Sequence, residues 1–119
     1  MLTTDAMDRA LAAVFAGPLR MGLLAGDVEL KDANYERQPI VLSEPSGTDG
    51  RGMTNVAEVR FPPLAADMAR DLTGWFIADG SGTVLDRDRL ARPRRLEAGE
   101  AAVFRVGDVK VRFVAGRGD

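Results

Sequence analysis

Residues 103–114 read VFRVGDVKVRFV, and this stretch is the clearest indication of how the chain folds. Apolar residues alternate with charged ones on both sides of Gly107-Asp108, and a pair led by Gly is typical of a two-residue hairpin turn of type II′. One face of that hairpin is apolar and the other is basic. The apolar face, which we expect to be buried, comprises Phe104, Val106, Val109, Val111 and Phe113, and the basic face comprises Arg105, Lys110 and Arg112.

A second tight turn is predicted at Asp79-Gly80-Ser81-Gly82, because these residue types turn readily through positive φ. Asp79, Ser81 and Thr83 also have the spacing of the first ligands of an EF-hand calcium loop. The twelfth position is Leu90, where such a loop needs a bidentate Glu, and the sixth position is not Gly. The pattern therefore predicts a plain turn.

The rest of the chain carries one helix signal and several strand signals. Thr4 with the acidic residues after it predicts a helix start, and Gly17-Pro18 predicts its end, so we place a helix at about residues 5–16. Strands are predicted at residues 20–24, 38–43, 56–61, 72–78 and 83–85, with a surface loop at 44–52 and some helical character at 64–70. We expect a single mostly β domain over residues 1–119, folded as an antiparallel β-sandwich with one N-terminal helix.

The composition excludes several kinds of site. The chain has 119 residues, neither Cys nor His, and a formal net charge of −2. It therefore lacks disulfides, a thiolate nucleophile, a Cys/His zinc site and an imidazole base. Asp and Glu are plentiful, but their spacing singles out no catalytic pair. We expect a protein that is not an enzyme, with no catalytic, cofactor-binding or metal-binding residues.

The sequence also carries no signal for secretion or membrane insertion. Its N-terminal residues include Asp5 and Asp8 in place of a basic region, which argues against a signal peptide. No apolar run approaches the ~18 residues that cross a bilayer. We expect a soluble intracellular origin.

Charge is distributed unevenly along the chain. Residues 1–86 hold 7 Lys and Arg against 13 Asp and Glu, giving −6, whereas residues 87–119 hold 9 against 5, giving +4. Such polarity can orient copies of the chain against one another. The densest basic stretch, residues 87–95, is predicted to be a loop that forms salt bridges with a neighbouring subunit or with the acidic half of the chain. Its candidate interface residues are Arg87, Arg89, Arg92, Arg94 and Arg95.

The same arginines raise the alternative of nucleic-acid binding. Single-strand binding adds aromatic platforms, and residues 86–102 contain no aromatic residue. Asp86, Asp88, Glu97 and Glu100 further dilute the basic field. A protein partner is therefore the favoured interpretation.

Trp75 and Phe76 lie in the middle of the predicted strand at residues 72–78. Because side chains alternate along a strand, one of the two should point inward and the other outward. Core packing is the commoner fate of both. An outward aromatic would be an effective interface anchor, and Trp75 is the candidate.

From Tyr35-Glu36-Arg37-Gln38 onward, the chain resembles a family of small virion structural proteins of tailed bacteriophages and gene transfer agents, described as tail-fibre-like or capsid decoration proteins. The family order is an N-terminal helix, a short strand, a Y-x-R-Q-like strand, a Gly-rich loop with Asn, a strand ending in Phe-Pro, a Gly-aromatic strand and a Gly-rich turn. The matching segments are Tyr35–Leu42, Asn55, Phe61-Pro62, Gly74–Phe76, Asp79–Thr83, Leu90–Pro93 and Gly99–Phe113. The charged segments at 51–54 and 87–95 depart from the family pattern.

The resemblance implies a β-sandwich without enzymatic activity, with Tyr35, Arg37 and Gln38 at family-motif positions. The expected function is that of a phage-type virion structural protein, either a capsid decoration (cement) protein or the base of a head or tail fibre. Its expected partners are other virion subunits, including further copies on a symmetric particle assembled in the host cytoplasm, and not nucleic acid or membrane. The alternative is a small carbohydrate- or partner-binding β-sandwich module.

Overall fold

A computed structural model describes residues 3–45 and 51–113 of the chain. These residues contain one helix and nine strands, and the strands pair antiparallel throughout. The elements are α1 (Thr4–Val14), β1 (Leu19–Ala25), β2 (Val28–Glu29), β3 (Gln38–Ile40), β4 (Arg51–Thr54), β5 (Val59–Arg60), β6 (Leu72–Ala78), β7 (Val84–Arg94), β8 (Val103–Phe104) and β9 (Lys110–Phe113). The prediction of a mostly β, antiparallel fold with one short helix is confirmed.

Five strands form the main sheet, in which β1 lies at the centre beside β6 and β7 forms the far edge. The other edge of β1 pairs with β3 along its first half and with β2 along its second half. The remaining strands form two ribbons, β4 with β9 and β5 with β8. Side chains from the main sheet and both ribbons join one hydrophobic cluster, which includes Met21, Trp75, Ile77, Met53, Val59, Phe104 and Val111.

The helix begins one residue earlier than predicted and ends before its predicted limit. The Ala6 N–H donates to Thr3 Oγ1 at 3.0 Å, so Thr3 is the N-cap and not Thr4. The helix ends at Val14, and Gly17 follows with a φ of +82°. Phe15, just past the last turn, is the buried residue that ties this end to the core.

The strands predicted at 20–24 and 72–78 are confirmed as β1 and β6. Those predicted at 38–43 and 56–61 are shorter than predicted, and the one predicted at 83–85 is longer, because β7 extends to Arg94. The prediction for 72–78 matches the bounds of β6, whereas the strand predicted at 38–43 is regular only over Gln38–Ile40. In the segment predicted at 56–61, Val59 and Phe61 are buried but the first three residues are exposed. Residues 64–70 form no helix, although Leu64 and Met68 are buried. The loop predicted at 44–52 lies partly outside the described residues, and β4 begins within it.

The predicted hairpin at 103–114 is wrong, because its two halves pair with different strands. Phe104 lies opposite Val59, and Val111 lies opposite Met53. The Asp108 N–H donates to the Arg105 carbonyl at 2.9 Å, and Gly107 has a φ of +86° at the third position, as in a type II turn. Val106 is consequently 64% exposed, whereas Phe104, Val109 and Val111 are buried as predicted. The side chain of Phe113 and residue 114 lie outside the described part.

Asn55 explains why the hairpin does not form. Its side chain is fully buried, and its Oδ1 accepts hydrogen bonds from the N–H groups of Gly107 and Val109 at 3.0 Å each. Its Nδ2 donates to the carbonyls of Ala57 and Arg105 at 2.9 Å each. Because the side chain and main chain of Asn55 take up the N–H and carbonyl of Val109, which the predicted hairpin would pair with Val106, the strands on either side of the turn separate toward β4 and β5.

Two valines distinguish the observed turn from the predicted hairpin. Val111→Asp buries an unpaired charge in the core, so we expect a loss of several kcal/mol and an unfolded protein. Val106→Asp changes an exposed turn residue, so the free energy of unfolding should move by less than about 0.5 kcal/mol. Circular dichroism and urea unfolding compare the two. A folded Val111→Asp protein, or an unfolded Val106→Asp protein, would contradict the observed pairing.

The Asn55 amide can be tested in the same way. Asn55→Ala leaves the buried Val109 N–H, the part-buried Gly107 N–H and two carbonyls without their partners, so we expect a loss of about 3 kcal/mol or more. The control is Asn34→Ala, because Asn34 is exposed and, among the described residues, its side chain donates only to the Pro63 carbonyl. That change should cost about 1 kcal/mol or less. Equal urea midpoints for the two variants would show that Asn55 does not organise the turn.

Candidate functional site

The arginine-rich segment is a strand and not the predicted loop. Residues 84–94 form β7, which pairs with β6 from Ala78 opposite Val84 to Leu72 opposite Arg94. An edge strand satisfies its backbone on one side and tolerates a row of charged side chains on the other, so a composition typical of a loop is compatible with β structure. Arg95 lies one residue beyond the strand.

Strand alternation sorts the charges of β7 onto two faces of the sheet. Asp86 and Asp88 lie on the core-side face, and Arg87 and Arg89 lie on the outer face. Within β7 the acidic residues therefore alternate with the arginines and do not share their face, although Asp88 also lines the cleft described below. The pairs that establish this are Ile77 with Asp86, Phe76 with Arg87, Trp75 with Asp88, and Gly74 with Arg89.

The outer face presents exposed arginines that form no ion pair within the part of the chain that the structure describes. Arg20 of β1 lies opposite Ala78 and so shares this face with Arg87 and Arg89. All three are exposed, and within residues 3–45 and 51–113 none has a carboxylate within 4.0 Å. Arg92 and Arg94, farther along β7, are exposed and likewise unpaired in the described part of the chain.

Arg95 differs from the other predicted interface arginines. Its Nε lies 3.0 Å from Asp71 Oδ1, so its charge is already engaged within the chain. Both side chains are about half exposed, which makes the pair a weak surface salt bridge. Arg95 is therefore the least available of the five arginines for a partner.

Both central aromatic residues of β6 are buried. Trp75 is 4% exposed and packs in the core, so it does not lie on the surface as a candidate interface anchor. Phe76 points the other way, as alternation predicts, and its ring covers Gly22 of the neighbouring strand. A Cβ at Gly22 would overlap the Phe76 ring, so a side chain at this position would force the ring to move. The outer face thus contains an aromatic residue that is only 3% exposed.

Arg37, one of the three residues of the Y-x-R-Q segment singled out in the sequence, lies over the Phe76 ring and is held there by hydrogen bonds. The Arg37 guanidinium lies 4.8 Å from the Phe76 ring centroid, a distance typical of a cation–π contact. Its Nε and one terminal nitrogen donate to the two Glu29 oxygens at 3.0 Å each. The Tyr35 hydroxyl donates to Glu29 Oε2 at 2.6 Å and accepts from the Leu23 N–H at 3.1 Å. This network ties the β2 and β3 side of the sheet to β1.

The protonation of this network follows from its contacts. The hydrogen bond from Arg37 is the main cause that holds the pKa of the Glu29 carboxyl below its usual value. Burial opposes this effect, and a hydrogen bond from Tyr35 adds to it. Burial and the hydrogen bond to Glu29 raise the pKa of Tyr35. The third motif residue, Gln38, pairs with Met21 and donates from its side chain to the Glu36 carbonyl at 3.0 Å. These three positions therefore have a structural role within this chain.

A β-bulge opens a cleft beside the arginines. Between the pairs Gly74–Arg89 and Leu72–Arg94, β7 advances five residues while β6 advances two, so residues 90–93 bulge from the ladder. The cleft lies between this bulge and the turn at Gly26-Asp27, with a volume of about 700 Å³. It is lined by Leu24, Gly26, Asp27, Thr73, Gly74, Arg87, Asp88, Arg89, Leu90 and Pro93.

No family model matches the chain, and no curated protein matches its sequence. Within the described residues, no cluster of three or more Cys, His, Asp or Glu residues is placed to hold a metal ion. No helix in the same residues has the length and apolarity to cross a membrane. An exposed arginine face can bind carboxylate, phosphate or sulfate groups.

The Asp79 segment is the turn that the sequence predicted. The Asp79 Oδ1 accepts from the Ser81 N–H at 2.9 Å, the Ser81 hydroxyl at 2.7 Å and the Thr83 N–H at 3.0 Å. Gly82 completes the turn with a φ of +90°. The Ser81 hydroxyl is the main contact that lowers the pKa of the Asp79 carboxyl. Its carboxylate is thus used to close the turn between β6 and β7.

The Glu29 network predicts a specific pH dependence. Because the folded pKa of Glu29 is lowered, its contribution to stability is present above its unfolded pKa of about 4.3 and is lost as pH falls through the folded pKa. Glu29→Gln should therefore cost about 1 kcal/mol at pH 7, since the pair is part-exposed, and progressively less below about pH 4. Urea unfolding across this pH range measures the difference between wild type and variant.

The control for this measurement is Glu36→Gln, an exposed carboxylate that has no ion pair among the described residues. We expect it to change the free energy of unfolding by less than about 0.5 kcal/mol. A Glu29→Gln difference that stays constant from neutral to acidic pH would contradict the proposed role of the charged carboxylate.

Proposed function

We propose that this chain is a phage-type virion structural protein that binds other virion subunits through the basic outer face of its main sheet. It acts without catalysis, as a capsid decoration (cement) protein or as the base of a head or tail fibre, and assembles onto the particle in the host cytoplasm. The observation that carries the proposal is the set of exposed arginines at Arg20, Arg87 and Arg89, which have no ion pair among the described residues. The family resemblance of the sequence supports the particle context.

The placement of these arginines on a sheet suits them to docking. Neighbouring strands fix their Cα positions, so less conformational freedom is lost on binding than for arginines on a free loop. Each exposed ion pair contributes only about 0–1 kcal/mol. A symmetric particle repeats the contact many times, and the arginine faces of many copies then act together. An acidic surface on a capsid or fibre subunit is the complementary partner.

We propose further that the main sheet and the two ribbons pack as an antiparallel β-sandwich. The support is that Met53 and Val111 of one ribbon share a hydrophobic cluster with Trp75 and Ile77 of the main sheet. Buried side chains from two β layers that meet in one core are typical of this architecture. In such an arrangement the arginines lie on the side of the main sheet that faces away from the ribbons.

An exposed aromatic residue on this face would favour either alternative, a carbohydrate-binding module or a protein that binds single-stranded nucleic acid. A carbohydrate-binding module would present an exposed aromatic residue, but Trp75 lies in the core and Phe76 lies beneath Arg37. Stacking of single-stranded nucleic acid needs the same kind of platform. The arginine face offers charge without an accessible ring, and this combination favours a protein surface that carries carboxylates.

Charge reversal tests the proposal. Arg87→Glu with Arg89→Glu replaces two attractive contacts by repulsive ones, so we expect an affinity for the particle about tenfold lower or more. Wild-type occupancy should fall as salt is raised, because exposed pairs are screened. The measurement is the copy number of the chain per particle, from quantitative mass spectrometry of purified virions across a salt series.

The control is Arg95→Glu, which makes the same charge reversal at one arginine that is already paired with Asp71. Circular dichroism checks that all variants remain folded. The chain's absence from purified particles would refute the virion assignment, and equal occupancy of all variants at every salt concentration would rule out the arginine face. Loss of DNA binding by the double variant in a gel shift would instead favour nucleic acid.

A further inference from the structure

We propose that the cleft beside the bulge of β7 binds an acidic, otherwise apolar peptide segment of the partner subunit, with one carboxylate held between Arg87 and Arg89. This inference rests on the proposed function and names the chemistry that the docking face recognises. The cleft volume of about 700 Å³ lies within the range of specific binding sites and exceeds the space that a single side chain fills.

The two arginines are placed to share one anionic group. They are two residues apart on the same face of β7, so their Cα atoms are separated by about 7 Å. Guanidinium groups bind carboxylates through paired N–H donors in a fixed planar geometry. Neither arginine has a carboxylate partner among the described residues. The Asp88 carboxylate, which lies close in sequence, accepts from the Arg89 backbone N–H at 2.7 Å.

The remainder of the cleft selects for apolar neighbours of that carboxylate. Leu24, Leu90 and Pro93 line it, and they offer aliphatic contact but no aromatic ring. A sugar would lack a stacking surface, and a nucleotide base would lack one as well. A ligand segment with aliphatic side chains on either side of a Glu or Asp would place its carboxylate at the arginines and its aliphatic groups against the apolar lining of the cleft.

Asp27 limits how much negative charge the cleft accepts. It lies in the turn that closes the cleft opposite β7 and carries no ion pair among the described residues. A second carboxylate on the ligand would be repelled there, so a segment with a single acidic residue is favoured over a polyanion. This feature separates the proposed ligand from nucleic acid and from sulfated polysaccharide.

The geometry of the cleft depends on Gly74. A Cβ at this position would lie 2.5 Å from the Asp88 carbonyl oxygen, so glycine allows β6 and β7 to approach closely just before the bulge. The close approach fixes Arg89 at the point where residues 90–93 leave the ladder. Bulges commonly redirect strand residues next to binding sites, and here the bulge brings Leu90 and Pro93 to the cleft.

The test is an NMR titration of the isolated, ¹⁵N-labelled protein with acetyl-Ala-Leu-Glu-Leu-Ala-amide. We expect saturable shifts of the Arg87 and Arg89 Nε–Hε signals and of the backbone amides of Leu24, Gly74 and Leu90. The matching peptide with Gln in place of Glu should bind about tenfold more weakly or worse. Arg87→Gln with Arg89→Gln should weaken the Glu peptide to the same extent, whereas Arg95→Gln should leave its binding unchanged.

Two outcomes would overturn the inference: equal binding of the Glu and Gln peptides, or the absence of saturable shifts at the cleft. Tighter binding of inorganic phosphate or of glucuronate at the same residues would also overturn it, in favour of a phosphorylated or sugar ligand. Because the titration needs no particle, it can fail while the virion measurement succeeds. That combination of results would support docking through the arginine face and would show that the cleft does not bind the peptide.

Discussion

The contact of the Phe76 ring with Gly22 is the constraint on which the sheet depends. Glycine at this position leaves the space that the ring occupies, and a methyl group in its place would collide with it. The ring in turn provides the surface over which Arg37 lies, and Arg37 is held by both oxygens of Glu29. Because Gly22 of β1 has no side chain, the Phe76 ring can pack against it beneath Arg37. β6 is therefore buried on both faces of the sheet.

Burial of β6 on both sides explains why the arginines of β7 can be both exposed and well positioned. β6 lies between β7 and β1, and it cannot shift without moving Trp75 in the core or Phe76 beneath Arg37. Close-packed interiors resist such movements because each displaced side chain loses many contacts. The proposed docking face thus derives its rigidity from apolar packing, while its specificity comes from charges that contribute little to the fold.

Local sequence patterns predicted the elements whose determinants are local. The bounds of β6, the turn closed by Asp79 and the helix to within two residues at each end follow from alternation, turn chemistry and capping. The hairpin at 103–114 was wrong because its register depends on Asn55, about fifty residues earlier in the chain. The alternation of Val106 and Val109 does not indicate that the buried Asn55 side chain hydrogen-bonds to the backbone N–H groups at the turn.

The arginine segment shows a different limit of sequence reasoning, and it also indicates how the face binds. Its charges suggested a loop, but an edge strand is where charged residues, a bulge and Pro93 are expected, because they discourage another strand from adding to the sheet. An edge protected in this way is poorly suited to recognition through backbone pairing. Recognition on this face then falls to the side chains, and Arg87 and Arg89 are the ones that alternation directs away from the core.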